Sequence, residues 1–193
     1  YPEAIEKIAA LTNFNLEYDN NDSQVLNTSI LDAVNKYYQN NLLSTLNAIQ
    51  YLSSRGITKE SIDKFQIGYA SSSNDTISYL KNNFFDLNMA KELGIIDSGS
   101  NGLYARFIER ITFPIFLQSG KLVGVGGRTI SGHNAKYVNS PATKLFNKSA
   151  LLFGYNLARE SIYQSKEIII TEGYLDVVML HQAGFTNSVA TLG

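Results

Sequence analysis

The sequence has no cysteine, no tryptophan and only 3 prolines. Without cysteine there are no disulfides, no thiolate zinc sites and no thiol nucleophile in this chain. No stretch approaches the ~18 consecutive apolar residues of a membrane-spanning helix. The first residues lack the charged, apolar and small-residue succession of a secretory signal. The expectation is a soluble, cytoplasmic protein with no membrane partner. Histidine is scarce too, with 2 residues. Neither His133 nor His181 pairs with a nucleophile at the spacing of a hydrolytic triad or a metalloprotease helix. His181 reads as a packing residue.

What is present is apolar surface and an uneven distribution of charge. The 193 residues are 44% hydrophobic, with 12 Tyr and 10 Phe. That suffices for the core of one large domain or two small ones. The net charge of −1 hides three segments. Residues 1–100 carry 7 Lys/Arg against 12 Asp/Glu, or −5; residues 101–150 carry 7 against 1, or +6; residues 151–193 carry 2 against 4, or −2. A basic middle between acidic flanks reads either as a local surface for a polyanion or as a merely solvated face.

Apolar spacing predicts a helix over Ala4–Leu11, then a polar linker at Asp19–Ser23. A long helical region comes next at 26–53, with Ile30, Leu31, Val34, Tyr37, Tyr38, Leu42, Leu46, Ile49 and Leu52 on its apolar stripe, and Gly56 ends it. Thr58 caps a short helix through Lys64. A strand is expected at 65–70, a loop at 71–75, and short helices at 75–83 and 86–93. Beyond Gly102 the pattern becomes extended. Arg110–Phe116 and Lys121–Arg128 flank Gln118-Ser119-Gly120 as a hairpin. A loop-rich stretch at 131–148 leads to a helix near 155–164. No internal repeat is found.

The most informative segment is Glu172-Gly173-Tyr174-Leu175-Asp176-Val177. The apolar run Ile168–Thr171 reads as a buried strand, Gly173 as a tight turn, and the residues after it as a helix ending at Gly184. Ser188–Leu192 reads as a further strand, so the unit is parallel βαβ. A carboxylate at the carboxyl end of such a strand sits where open α/β sheets place ligands. Glu172 and Asp176 at one mouth suit a hard cation, although Glu172 alone also reads as a structural carboxylate. In the hairpin, Gly124-Val125-Gly126-Gly127-Arg128 fails both the dinucleotide and the phosphate-loop patterns. Its glycines read as a bulge or a close packing contact. Arg128 ends this strand and faces the loop bearing Lys136, Lys144 and Lys148, with Tyr137, Asn139, Ser140 and Phe146 among them. Such residues contact phosphates and stack on bases.

Several of these segments, in this order, resemble the catalytic core of bacterial DnaG-type primases, over nearly the whole chain. They are Tyr51–Ile57 with Phe65–Ala70, Arg106–Ile115, Gly124–Arg128, Lys136–Pro141, Phe146–Lys148, Glu172–Val177 and Ala190–Gly193. Glu172–Val177 is similar to the first signature of the Toprim fold. The resemblance implies an α+β N-terminal subdomain, helices plus a small antiparallel sheet, at 19–164. The beginning of an α/β Toprim subdomain with parallel strands comes after it at 165–193. Residues 1–18 resemble the trailing helix of a preceding zinc-binding domain.

The implied activity is synthesis of short RNA primers on single-stranded DNA by metal-dependent nucleotidyl transfer. The implied cofactor is Mg²⁺ or Mn²⁺, with Glu172 as the essential metal-binding glutamate and Asp176 as its support. Arg55, Arg106, Arg110, Arg128, Lys136, Asn139 and Lys148 match positions of the family's nucleotide and template groove. Implied partners are the template, ribonucleoside triphosphates, the RNA–DNA hybrid and, through a separate C-terminal domain, a replicative helicase; the protein is expected to be monomeric. Ile108, Ala135 and Ala142 depart from the usual basic residue, proline and glutamate. The family's later acids, a lone Asp and an Asp-x-Asp, are expected beyond residue 193, and zinc is expected only in the preceding domain. Other Toprim enzymes, such as topoisomerases and phage primase–helicases, share the Glu–Gly strand end but lack the upstream series. A non-catalytic DNA-binding piece is the remaining alternative.

Overall fold

The structure, a computed structural model, describes residues 29–132 and 135–192. The expected helix at 4–11, the linker at 19–23 and His133 lie outside the described residues. Helix α1 (Ser29–Ser44) buries Ile30, Leu31, Val34, Tyr38 and Leu42, and α2 (Leu46–Ser54) buries Ala48 and Leu52. These are two helices where the stripe predicted one. Thr45 adopts extended angles, φ −112° and ψ 94°, and its hydroxyl donates to the Asn41 carbonyl at 2.7 Å. A threonine bonding four residues back competes with helix continuation, and hydrophobic spacing does not register that. Helix α3 (Lys59–Lys64) is capped by Thr58, which accepts from the Ser61 amide.

The strand expected at 65–70 shrinks to β1 (Gly68–Ala70) because Gln66 turns at φ 52°. The loop expected at 71–75 is mostly cap. Ser72 and Asp75 form a reciprocal capping box that starts α4 (Ser73–Asn82) early. Helix α5 (Leu87–Glu92) is capped by Asp86. Strands β2 (Ile96–Gly99) and β3 (Gly102–Ala105) then pair as a small hairpin of their own.

The central sheet is antiparallel in the order β1-β4-β5-β6, with β4 (Arg110–Phe116), β5 (Leu122–Thr129) and β6 (Tyr137–Asn139). β6 lies in the stretch expected to be loop; at 3 residues it is too short to show alternation. Helix α6 (Tyr155–Ser165) leads to β7 (Ile169–Thr171), α7 (Tyr174–Gln182) and β8 (Ser188–Ala190), and β7 and β8 are parallel as predicted.

Two apolar cores form. One contains Ile30, Leu31, Val34, Tyr38, Leu80, Phe107 and Val125. The other joins Ile111, Phe113 and Ile115 of β4 to Phe65, Phe146, Phe153, Tyr174, Val177, Val178 and Ala190. The sheet and the strand–turn–helix unit therefore share one core. Gln182 of α7 fastens it from the side. Its amide donates to Gly56 O at 2.8 Å, and its Oε1 accepts from Thr58 N and Ser61 Oγ, each at 3.0 Å.

His181 is buried against the edge of Phe65. Its Nε2 lies 2.9 Å from Ser188 O and its Nδ1 3.5 Å from Lys64 Nζ. The neutral Nε2–H tautomer satisfies both contacts. Burial, with Lys64 nearby, pushes its pKa below the ordinary 6.5. The unfolded chain therefore takes up the proton first. The stability His181 contributes is complete above about pH 6.5 and is lost as pH falls through that value toward the folded pKa. Thermal melts over this range should show a falling midpoint, with a shallower slope in His181→Gln. An unchanged slope would remove His181 from the pH dependence.

Candidate nucleotide and metal site

Glu172 stands just after β7, and Gly173 is the N-cap of α7 with φ −116° and ψ 142°. A Cβ at Gly173 would stand 2.5 Å from Asp176 Oδ2. Glycine there lets the Asp176 carboxylate fold back over the helix N-terminus, where the helix dipole favours negative charge. Glu172 and Asp176 are both exposed. Both line a cleft of about 560 Å³ whose other walls include Arg55, Arg128, Lys136 and Tyr137. A second cleft, of about 690 Å³, is lined by Asn139, Asn147, Lys148, Tyr174 and Thr191. Glu172 and Tyr137 border both.

Strand parity decides which basic residues reach this place. Arg128 is paired with Ile111 and Tyr137, whereas Arg110 is paired with Thr129. Paired residues share a face and successive residues alternate. Arg128 thus shares a face with Ile111 and Phe113, toward α7, and Arg110 occupies the opposite face. Arg110 is buried, and its guanidinium donates to the carbonyls of Gly127 at 3.3 Å, Ala135 at 2.9 Å and Lys136 at 3.4 Å. It pins the backbone that carries Lys136. Arg106 pairs with Asp97 at 3.3 Å, outside both clefts. Of the residues named from sequence, one cleft gathers Glu172, Asp176, Arg55, Arg128 and Lys136. The adjoining cleft gathers Glu172, Asn139 and Lys148. Arg106 and Arg110 belong to neither.

The glycines of β5 set the height of the site. A Cβ at Gly124 would stand 2.6 Å from the Phe146 ring, and one at Gly126 would enter the ring of Tyr174. The close-packing reading of these glycines holds. Tyr174 is buried, and its hydroxyl donates to Asn139 Oδ1 at 2.6 Å. Asn139 Nδ2 in turn donates to the Leu192 carbonyl. Both ends of the Asn139 amide are thus engaged in joining the sheet to α7 and to the residues after β8. Burial pushes the Tyr174 phenol up to about 12, so it remains a donor at neutral pH.

Sequence reasoning did not single out Tyr174 or Tyr51. The Arg55 guanidinium lies 5.4 Å from the Tyr51 ring centre and that of Arg128 lies 5.5 Å from it. Tyr51 and Arg55 are four residues apart on one helical stretch, and that spacing was the available signal.

Among the described residues no group of three or more His, Asp or Glu could hold a metal. The donors present are two carboxylates. Mg²⁺ is commonly held by one or two carboxylates, with water and phosphate oxygens completing its shell. The pair fits that role chemically.

A basic antiparallel sheet seated against an acid-bearing strand–turn–helix is the architecture of a core of Toprim type. Residues 166–193 match the Toprim domain, and residues 37–159 match the family described as the DNA primase catalytic core, N-terminal domain. The chain belongs to the DNA primase catalytic-core family. It is 43% identical to the DNA primase of Helicobacter pylori over 198 residues, all of this chain and 35% of that protein. It resembles the Aquifex aeolicus primase, crystallised as its zinc-binding and RNA polymerase domains: TM-score 0.82, 33% identity, 99% of this chain and 48% of the other. It is also similar to a DnaG primase catalytic domain bound to single-stranded DNA: TM-score 0.79, 34% identity, 88% and 56% covered. The chain spans about a third of the length of the curated relatives it matches. The expected fold class and family hold, and this match sets aside topoisomerases and phage primase–helicases.

Gly126→Ala should lower stability by about 1–3 kcal/mol through overpacking against Tyr174. The penalty should shrink in a Tyr174→Ala background. Urea denaturation of the four variants in this cycle measures the coupling, and additive effects would mean the two residues do not meet.

Proposed function

We propose that this chain supplies the basic subdomain and the first Toprim segment of a DNA-directed RNA polymerase that writes short RNA primers on single-stranded DNA. The observation that carries the reading is the shared cleft: Glu172 and Asp176 stand in it with Arg55, Arg128 and Lys136. Nucleotidyl transfer joins a polyanionic triphosphate to a growing strand. It needs cations to hold phosphates and carboxylates to hold a metal, within reach of one another.

Glu172 is the metal ligand and Asp176 the second carboxylate, for Mg²⁺ or Mn²⁺. When bound, the ion neutralises phosphate charge and favours the departing pyrophosphate. Arg55, Arg128 and Lys136 orient phosphates of the triphosphate or of the strand. Lys148, at the start of a 3-10 turn (Lys148–Ala150) in the neighbouring cleft, extends the cationic path. Tyr137, on the ridge between the clefts, offers a ring on which a base can stack. Arg110 and Asn139 act by holding the site's backbone. The remaining metal ligands come from later acids of the whole protein, with zinc confined to a preceding domain. The template, ribonucleoside triphosphates and the RNA–DNA hybrid are its ligands, and a C-terminal domain meets the helicase. The 193-residue chain alone makes no primer.

In the whole protein, Glu172→Gln should abolish primer synthesis, measured with labelled ribonucleotides, and leave single-strand affinity within about twofold. An equal loss of binding would make Glu172 a structural carboxylate. Lys136→Ala combined with Lys148→Ala should weaken single-strand binding. The slope of log K against log salt should fall by about 0.7 per lost phosphate contact. An unaltered slope would take both lysines out of the groove.

A further inference from the structure

Arg128 is only 8% exposed, yet among the described residues no carboxylate balances it. Its Nε is buried without a hydrogen-bond partner. Its Nη1 donates to the Tyr137 hydroxyl, and among the described residues no acceptor meets its Nη2. Burying a guanidinium in this way is costly unless something else stabilises the charge. Two aromatic rings do so. The Arg128 guanidinium carbon lies 5.1 Å from the Tyr137 ring centre and 5.5 Å from that of Tyr51. The Tyr51 ring also receives Arg55 at 5.4 Å. One ring thus serves two cations that would otherwise repel each other, in the cleft that holds Glu172 and Asp176.

The hydroxyl of Tyr51 adds a second observation. It is buried and has no hydrogen-bond partner. The hydroxyl makes no hydrogen bond while the ring meets two guanidinium groups, so the ring is the part that interacts here. Neither arginine lies within ion-pair distance of Glu172 or Asp176, and among the described residues the one such pair is Arg106 with Asp97. The cations are held by π faces, and their charge is left for an incoming anion.

We propose that Tyr51 is a positioning residue: its ring fixes Arg55 and Arg128 side by side as a phosphate clamp, with Tyr137 as the second wall for Arg128. The clamp rests on the primase reading of the cleft. Tyr51 itself touches neither phosphate nor metal; it acts through the two guanidinium groups. Its aromatic face is required and its hydroxyl is not.

The test uses the whole primase with ATP-Mg²⁺ and a fluorescent single-stranded DNA oligonucleotide. Tyr51→Phe keeps the ring and removes an orphaned polar atom, so KM for nucleotide and DNA affinity should match the parent and the melting midpoint should not fall. Tyr51→Leu keeps apolar bulk but loses the π face. It should raise KM for nucleotide roughly tenfold with a smaller change in kcat, and weaken DNA binding. In an Arg128→Ala, Arg55→Ala background, Tyr51→Leu should add no further rise in KM. A Phe variant as impaired as Leu, or a Leu effect that persists without the arginines, overturns the positioning role. If the double arginine variant itself binds nucleotide and DNA like the parent, the primase reading of the cleft fails instead. Melting midpoints of all variants separate loss of fold from loss of the clamp.

Discussion

The Tyr174 ring lies where a side chain at Gly126 would be, and everything functional in this structure depends on that seat. Tyr174 is the first residue of α7, and Glu172 is two residues before it. Fixing the ring on the β5 backbone fixes the end of β7 against the sheet. The phenol bond to Asn139 and the Asn139 bond to Leu192 then set the rotation about that contact. Phe113 and Phe153 close around the same ring at centroid distances of 5.4 Å and 4.8 Å. A bare stretch of β5 therefore has a positive function: it lets an acid-bearing turn approach a basic strand closely enough to share one cleft.

That cleft is electrostatically unfinished. Among the described residues, its acids and bases face the same space without pairing, and the guanidinium groups are stabilised by rings rather than by counter-charges. An intramolecular ion pair here would compete with a phosphate for the cation and with a metal for the carboxylate. Aromatic faces carry no such competition, since their attraction to a cation is modest and leaves Arg128 Nη2 without an acceptor among the described residues. The overall charge of −1 conceals this, because the acids that balance the sum lie mostly in residues 1–100 of the sequence.

Much of this was legible in the sequence where a repeating pattern or a single residue type carries the signal. The β4–β5 hairpin, the strand–glycine–helix at 169–182 and the Thr58 cap come from period-two apolar runs, turn glycines and cap chemistry. The shared cleft of Glu172 and Asp176 was legible from their spacing across a tight turn. The features that were not legible depended on single side chains or long-range partners. The break at Thr45 turns on one hydroxyl and interrupts an otherwise continuous stripe. β6 exists because β5 is beside it to pair with, and three residues alone do not announce a strand. Tyr51 lies 77 positions before Arg128 in the chain, so no local spacing relates them.

Arg110 and Arg128 show where motif reading alone stops. Both are arginines of the basic middle, on adjacent paired strands, and on sequence resemblance both are expected in the groove. The register decides between them: a difference of one residue in pairing sends Arg128 toward α7 and Arg110 to the far face. There Arg110 spends three hydrogen bonds on the carbonyls of 127, 135 and 136. Removing it would leave three carbonyls to find other partners and would free the backbone that presents Lys136. A loss of affinity in such a variant would thus report on the placement of Lys136 rather than on a contact made by Arg110. The geometry separates a basic residue that faces the cleft from one that holds its neighbour there, and composition cannot make that distinction.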